Sequence, residues 1–154
     1  MKNNIKTFII SVLIPLLTGG LAGLLTSKSM VIYKHLNLPP LSPPGFIFPI
    51  VWTILYILMG IGAYFIIISN SSTRTEALRT YALQLVLNFL WTIVFFNMRN
   101  FLLAFMILIA LWALIIKMII TFKNIKPIAG YLQIPYLLWV TFAGYLNFMV
   151  FILN

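Results

Sequence analysis

Five long runs of apolar residues, hardly interrupted by charge, are the feature that most limits what this chain can fold into. A helix that crosses the hydrocarbon core of a bilayer needs roughly 20 mostly apolar residues. Because lipid offers no partner to backbone amides, a spanning segment must be a helix or part of a closed barrel. The runs cover residues 8–25, 46–68, 81–98, 101–121 and 128–153. We therefore predict an all-α integral membrane protein, a single domain over residues 1–154 in which five transmembrane helices form a bundle.

Composition and the placement of charge indicate a multi-pass protein of the cell membrane, with the lipid bilayer as its surroundings. The chain is 63% hydrophobic and 7% charged, unlike a soluble domain. Its formal net charge is +9. The basic residues stand singly near the ends of the runs, which is typical of membrane flanks. We therefore expect no nucleic-acid partner.

The distribution of Lys and Arg between the two ends of the bundle predicts the orientation. One end holds Lys2, Lys6, Arg74, Arg79, Lys117, Lys123 and Lys126, and the other holds Lys28, Lys34 and Arg99. Since positive residues favour the cytoplasmic side, we expect a cytoplasmic N-terminus, with the C-terminus and the long loop 27–45 outside. The first run could instead be a cleaved signal peptide, but its length and the lack of an A-x-A site favour a retained helix.

The inventory of reactive side chains excludes several classes of function. Glu76 is the only carboxylate and is expected in a loop, and there is neither Asp nor Cys. Paired-carboxylate catalysis, calcium and magnesium sites and thiolate chemistry are therefore ruled out within one chain. A single histidine cannot supply a zinc ligand set, so we predict no metal site and no covalently bound cofactor. Recognition of an apolar, planar ligand by tryptophans and a few neutral polar groups remains.

The second run carries large aromatic residues on one helical stripe. Two Pro-Pro pairs precede it and favour an extended segment, after which a helix can begin near Pro44 to Phe46. At helical spacing, one stripe contains Trp52, Tyr56, Met59, Ala63 and Tyr64, with Gly60 beside it. We interpret this stripe as one wall of a slot for a flat apolar molecule.

The third and fifth runs each place a polar residue on an aromatic face. Asn88, Trp91 and Phe95 share a face of the third, and Trp139, Ala143 and Asn147 follow one another at i+4 in the fifth. An asparagine in the membrane must be satisfied inside the protein, so Asn88 is either an interhelical hydrogen-bonding residue or a ligand contact. Pro135 is expected to bend the fifth helix over a cavity.

The first run contains a G-x-x-x-G step at Gly19 and Gly23. Such steps let two helices approach closely in lipid. We favour packing within the chain and leave a homodimer interface as the alternative.

Four segments resemble the translocator protein family (TspO/MBR), the tryptophan-rich sensory proteins once called peripheral benzodiazepine receptors. They are GGLAG in the first helix, PPGFIFPIVWTILYILMG in the second, QLVLNFLWTIVFF in the third and PYLLWVTFAGYLN in the fifth. The resemblance implies a five-helix bundle, often dimeric, that binds porphyrins, benzodiazepine-type drugs and, in animals, sterols. It implies that Trp52, Asn88, Trp139 and Ala143 bind the ligand, with Tyr33 as a lid contact. The incomplete motif after Asn147 makes sterol binding doubtful.

These observations predict a membrane receptor that holds a porphyrin or drug-like aromatic ligand between Trp52 and Trp139, with Ala143 providing clearance. Ligand carboxylates are expected at the outer mouth near Lys34 and His35. The resemblance leaves two alternatives. One is light-dependent porphyrin breakdown, in which porphyrin is the substrate and both tryptophans supply reactivity. The other is transport of the ligand.

Overall fold

The computed structural model describes residues 2–154, with only the backbone of Lys2, and all regular secondary structure in this range is helical. The elements are α1 (Lys2–Thr26), a 3-10 helix (Met30–His35), α2 (Ile47–Ile67), α3 (Arg74–Thr92) with a π-helical turn (Ile93–Asn97), α4 (Phe101–Ile125), α5 (Pro127–Tyr131) and α6 (Ile134–Leu153). Five segments of the described chain are long and apolar enough to cross a membrane, which confirms the predicted fold class.

Two helices begin several residues before the apolar runs from which they were predicted. Helix α1 starts at Lys2 rather than at residue 8, and α3 starts at Arg74 rather than at residue 81. Glu76 therefore lies in the first turn of α3, and its expected place in a loop was wrong. An acidic side chain is favourable there because the N-terminal end of a helix carries partial positive charge. A charge thus ended an apolar run in the sequence without ending the helix.

The fifth spanning segment is divided into α5 and α6, where the sequence predicted one helix over residues 128–153. The break lies at Leu132 and Gln133, just before Pro135 in the first turn of α6. The Gln133 side-chain amide donates to the carbonyls of Leu58 and Ala129 at 3.3 Å each. The donation to Ala129 satisfies a carbonyl that the break in the helix leaves open, and the donation to Leu58 ties the break to α2.

Helices α1 and α2 pack closely at Gly60, which is buried between them. A Cβ added at Gly60 would lie 2.5 Å from Val12 Cα and 2.6 Å from the Ser11 carbonyl oxygen. In the G-x-x-x-G step, Gly19 contacts the Tyr56 ring, whereas a Cβ at Gly23 would meet nothing within 4 Å. The close approach of the two helices therefore depends on Gly60 and Gly19.

The core of the bundle lies where α3 packs on α4 and α4 packs on α6. Met118 and Phe122 of α4 are completely buried there, as are Ile66 of α2 and Ala77 of α3. Long apolar side chains on the outer faces, such as Leu17 of α1, are exposed, as expected of helices that meet acyl chains. Toward the end of the bundle that carries the 27–46 segment, hereafter the loop end, this solid packing gives way to a cavity.

Candidate functional site

A cavity of about 780 Å³ lies at the loop end, partly open, between the helices and beneath the segment between α1 and α2. This volume is within the range of small-molecule sites. The lining is mostly apolar. Its principal side chains are Leu16, Met30, Tyr33, Lys34, Leu38, Phe48, Trp52, Thr53, Tyr56, Trp91, Thr92, Phe95, Phe96, Ala143, Leu146, Asn147 and Val150. Three glycines of α1, Gly19, Gly20 and Gly23, complete one wall.

Aromatic rings form the floor of the cavity. Trp52 stacks on Tyr56, one turn further along α2, with ring centroids 5.6 Å apart and an interplanar angle of 29°. The Trp91 ring lies 6.1 Å from the Trp52 ring. The Trp91 indole N–H donates to Asn147 Oδ1 at 3.0 Å, and Asn147 Nδ2 donates to the Phe101 carbonyl at 2.8 Å. These bonds hold the floor across α3, α4 and α6.

A chain of hydrogen bonds lies directly behind the floor. The Tyr56 hydroxyl donates to Asn88 Oδ1 at 2.9 Å, and Asn88 Nδ2 donates to the Tyr136 oxygen at 2.8 Å. The Tyr136 hydroxyl in turn donates to Gln84 Oε1 at 2.7 Å. All four side chains are buried, and the chain joins α2, α3 and α6. Asn88 is thus an interhelical hydrogen-bonding residue that does not line the cavity.

Trp139 also lies outside the cavity lining. Its ring packs edge-on against Phe48, with centroids 5.9 Å apart, and Phe48 rather than Trp139 faces the cavity. The Trp139 indole nitrogen is buried without a hydrogen-bond partner among the described residues. Of the two indoles predicted to form a slot, only Trp52 lines the cavity, and Phe48 at the start of α2 lies between the cavity lining and the Trp139 ring.

The roof of the cavity carries Tyr33 and its one basic residue, Lys34. The Tyr33 hydroxyl donates to the Pro43 carbonyl at 2.9 Å, and the Tyr33 ring packs edge-on against Phe48. Partial burial raises the pKa of Tyr33. Lys34 is the only residue of the lining that is charged at neutral pH. A ligand with an acidic edge would meet its compensating charge at the roof and apolar rings at the floor.

The roof is tied to Asn154, which follows α6, by two hydrogen bonds between the Asn154 carboxamide and the Asn37 backbone, here called the asparagine clasp. The Asn37 backbone N–H donates to Asn154 Oδ1 at 3.0 Å, and Asn154 Nδ2 donates to the Asn37 carbonyl at 3.1 Å. The Tyr145 hydroxyl adds a bond of 3.0 Å to the Pro40 carbonyl. Nothing in the sequence pattern indicated this contact, because its partners are far apart along the chain.

Comparison with known proteins decides the family. The profile of the TspO/MBR family matches residues 11–153. The chain belongs to the TspO/MBR family. A tryptophan-rich sensory protein of Cereibacter sphaeroides is 38% identical over 122 residues, 79% of this chain and 76% of that protein. The tryptophan-rich protein TspO of Archaeoglobus fulgidus is 35% identical over 153 residues, 98% of this chain and 99% of that protein. The sheep translocator protein is 35% identical over 119 residues, 75% of this chain and 70% of that protein.

Membership of the TspO/MBR family confirms the resemblance, and the cavity brings together most of the predicted site. Six predicted residues line it: Tyr33, Trp52, Tyr56, Trp91, Ala143 and Asn147. Asn88 and Trp139 lie one layer further out, each in contact with a lining residue. The predicted α2 stripe lines the cavity only as far as Tyr56, because Met59 and Ala63 are buried in the core.

The glycine wall of this TspO/MBR chain was missed from sequence. Gly20 and Gly23 line the cavity, and a Cβ at either would meet nothing within 4 Å. The G-x-x-x-G step was the available signal, but it was interpreted as a packing surface. A small residue can allow a second helix to pack closely, or it can leave open space for a ligand. Only the position of the facing helix shows which of these occurs.

Proposed function

We propose that this chain is a membrane receptor for porphyrins and benzodiazepine-type ligands, which it holds inside the helix bundle. The observation that carries the proposal is the cavity of about 780 Å³ with its aromatic floor. Flat aromatic ligands stack well on such rings, and burial of their apolar surface drives binding. Trp52 and Trp91 offer two indole rings to the ligand. Ala143 also lines the cavity, and its small side chain leaves room for the ligand.

The polar groups of the cavity favour a ligand with an acidic edge. Tyr56, Trp91 and Asn147 use their donors within the protein, so the floor offers little to a charged group. Lys34 at the roof is the available cation. A porphyrin bound with its ring on the floor and its carboxylates at the roof would bury little charge, which avoids the large cost of an unpaired ion in an apolar site.

The proposal includes a topology. The excess of Lys and Arg at the end opposite the loop end supports a cytoplasmic N-terminus in the cell membrane, with the cavity roof outside. The ligand would then be received from the outer side. A homodimer, expected from the resemblance, remains a prediction.

Porphyrin titration of the purified protein tests the receptor. The Ala143→Leu substitution places a larger side chain in the cavity wall and should weaken binding, seen in the porphyrin absorption band, by at least about tenfold. The matched control is Gly144→Leu, since Gly144 lies next in sequence but faces a groove on the outer surface of α4 and α6. Equal affinities for the native protein and the Ala143 variant would mean that the ligand does not occupy this cavity.

Light-dependent porphyrin breakdown is a second candidate. Trp52 lines the cavity within 6.1 Å of Trp91, so a photoexcited ligand would lie against indoles that can be oxidised. Spectra of bound porphyrin in the dark and under illumination separate the two functions. A product that forms only in light, and is lost in Trp52→Phe, would support the enzyme. Unchanged porphyrin under illumination would support the receptor alone.

A further inference from the structure

The end of the bundle opposite the loop end carries an excess of positive charge that the chain itself does not neutralise. Its exposed cations are Lys6, Arg74, Arg79, Lys117, Lys123 and Lys126. The only carboxylate side chain in the sequence, Glu76, lies 3.8 Å from the Lys117 ammonium. Arg74 donates to the carbonyls of Ile67 and Ser69 at the end of α2. Lys123 and Lys126 have no such partner among the described residues.

An aromatic ring lies beside each of these two lysines. The Lys123 ammonium lies 5.4 Å from the centre of the Tyr131 ring, and the Lys126 ammonium lies 6.0 Å from the centre of the Phe65 ring. Both distances suit cation–π contacts. The rings come from α5 and α2, so three helices converge on one small basic surface, here called the α4–α5 junction. Ordered ammonium groups lose less entropy when they bind an anion.

The surface beside the two lysines is apolar and exposed. Ile120 lies one turn before Lys123 on the same side of α4, and it is 54% exposed. Ile128 follows Lys126 closely and is 45% exposed, and Tyr131 is 50% exposed. A soluble anion would use only the ammonium groups. A molecule with an acidic head and hydrocarbon chains would use both the charge and the apolar surface.

We propose that the α4–α5 junction binds an acidic phospholipid, with its phosphate between Lys123 and Lys126 and its acyl chains along Ile120 and Ile128. Basic residues at a membrane interface attract anionic headgroups, and basic residues clustered between helices can bind a headgroup at a defined position. The junction lies at the opposite end from the cavity. The proposal is independent of the receptor function and holds whatever the cavity binds.

Thermal unfolding of the purified full-length protein in neutral detergent tests the site. The protein is titrated with dioleoylphosphatidylglycerol, and in parallel with dioleoylphosphatidylcholine and with inorganic phosphate. We expect the acidic lipid to raise the Tm of the native protein more than the zwitterionic lipid does, and inorganic phosphate to leave it unchanged. The Lys123→Gln/Lys126→Gln variant should need about tenfold more acidic lipid for the same shift.

Two further variants make the outcome decisive. Lys28→Gln/Arg99→Gln removes the same charge from the loop end and should titrate like the native protein. Lys123→Arg/Lys126→Arg keeps the charge and should keep the response, even if the glutamine variant folds poorly. A glutamine variant that titrates like the native protein, or a loop-end variant with an equal loss, would overturn the proposal. An equal response to inorganic phosphate would also overturn it, because the site would then bind a free anion.

Discussion

The hydroxyl of Tyr56 on the cavity floor donates a hydrogen bond of 2.9 Å to Asn88, which lies outside the cavity. Asn88 in turn donates a hydrogen bond to Tyr136 of α6. The Tyr56 ring, which a ligand would contact, is therefore held by helices α3 and α6 as well as by its own helix. The floor of the cavity is therefore ordered by polar contacts that the ligand itself does not need to make.

Replacement of Asn88 by alanine should destabilise the bundle. It removes the acceptor of Tyr56 and the donor to Tyr136, both buried. Interhelical hydrogen bonds in membranes contribute about 0.6 kcal/mol on average and up to about 1.7, so we expect a loss of about 1 to 3 kcal/mol. Reversible unfolding in mixed micelles measures it. Asn124→Ala, at an exposed position, is the control and should change little. Equal stability of the two variants would show that the buried chain contributes nothing.

Trp52→Phe should weaken porphyrin binding more than Trp139→Phe. Trp52 lines the cavity, and the smaller ring of phenylalanine would lose stacking area against the ligand, for an expected loss of about five- to tenfold. Trp139 is separated from the cavity by Phe48, so its replacement should change the affinity less than about twofold. Absorbance titration of both variants gives the order. The reverse order would place the ligand on the far side of Phe48.

Contacts within a helix could be predicted from the sequence because helical spacing determines them. Trp52 with Tyr56, and Ala143 with Asn147, were assigned to common faces, and all four line the cavity. Whether each residue on a helical face reaches the cavity depends on the neighbouring helices, and helical spacing gives no information about those. Trp139 lies one turn from Ala143 on that face, yet Phe48 covers it.

Contacts between distant parts of the chain could not be predicted in the same way. Nothing in the sequence paired Tyr136 with Gln84 or Asn37 with Asn154, because each pair depends on how the helices and the roof come together. The use of charged residues to mark helix ends wrongly placed Glu76 in a loop. A helix that reaches the membrane surface can continue through charged residues. Apolar runs therefore identified the spanning segments without identifying the ends of the helices.

Gly60→Ala should destabilise the protein, whereas Gly20→Ala should not. A methyl group at Gly60 would meet the backbone of Val12 and Ser11, which cannot move without separating α1 from α2. Overpacking of this kind costs about 1 to 3 kcal/mol or more. A methyl group at Gly20 meets nothing within 4 Å and lies at the cavity wall. Thermal unfolding of both variants measures the difference, and similar Tm values would contradict the close packing of the two helices at Gly60.

Opening the asparagine clasp should speed the release of ligand. Asn154→Ala removes the side chain that accepts from the Asn37 N–H and donates to the Asn37 carbonyl, so the roof loses two hydrogen bonds to the residue that follows α6. At about 0.5 kcal/mol for each of these two exposed bonds, the dissociation rate of porphyrin in stopped-flow chase experiments should rise by roughly fivefold. The chain has no cysteine, so a single Leu38→Cys on the cavity side of the roof can report the same opening by faster maleimide labelling. Faster labelling without faster release would mean that the roof opens but does not control the cavity.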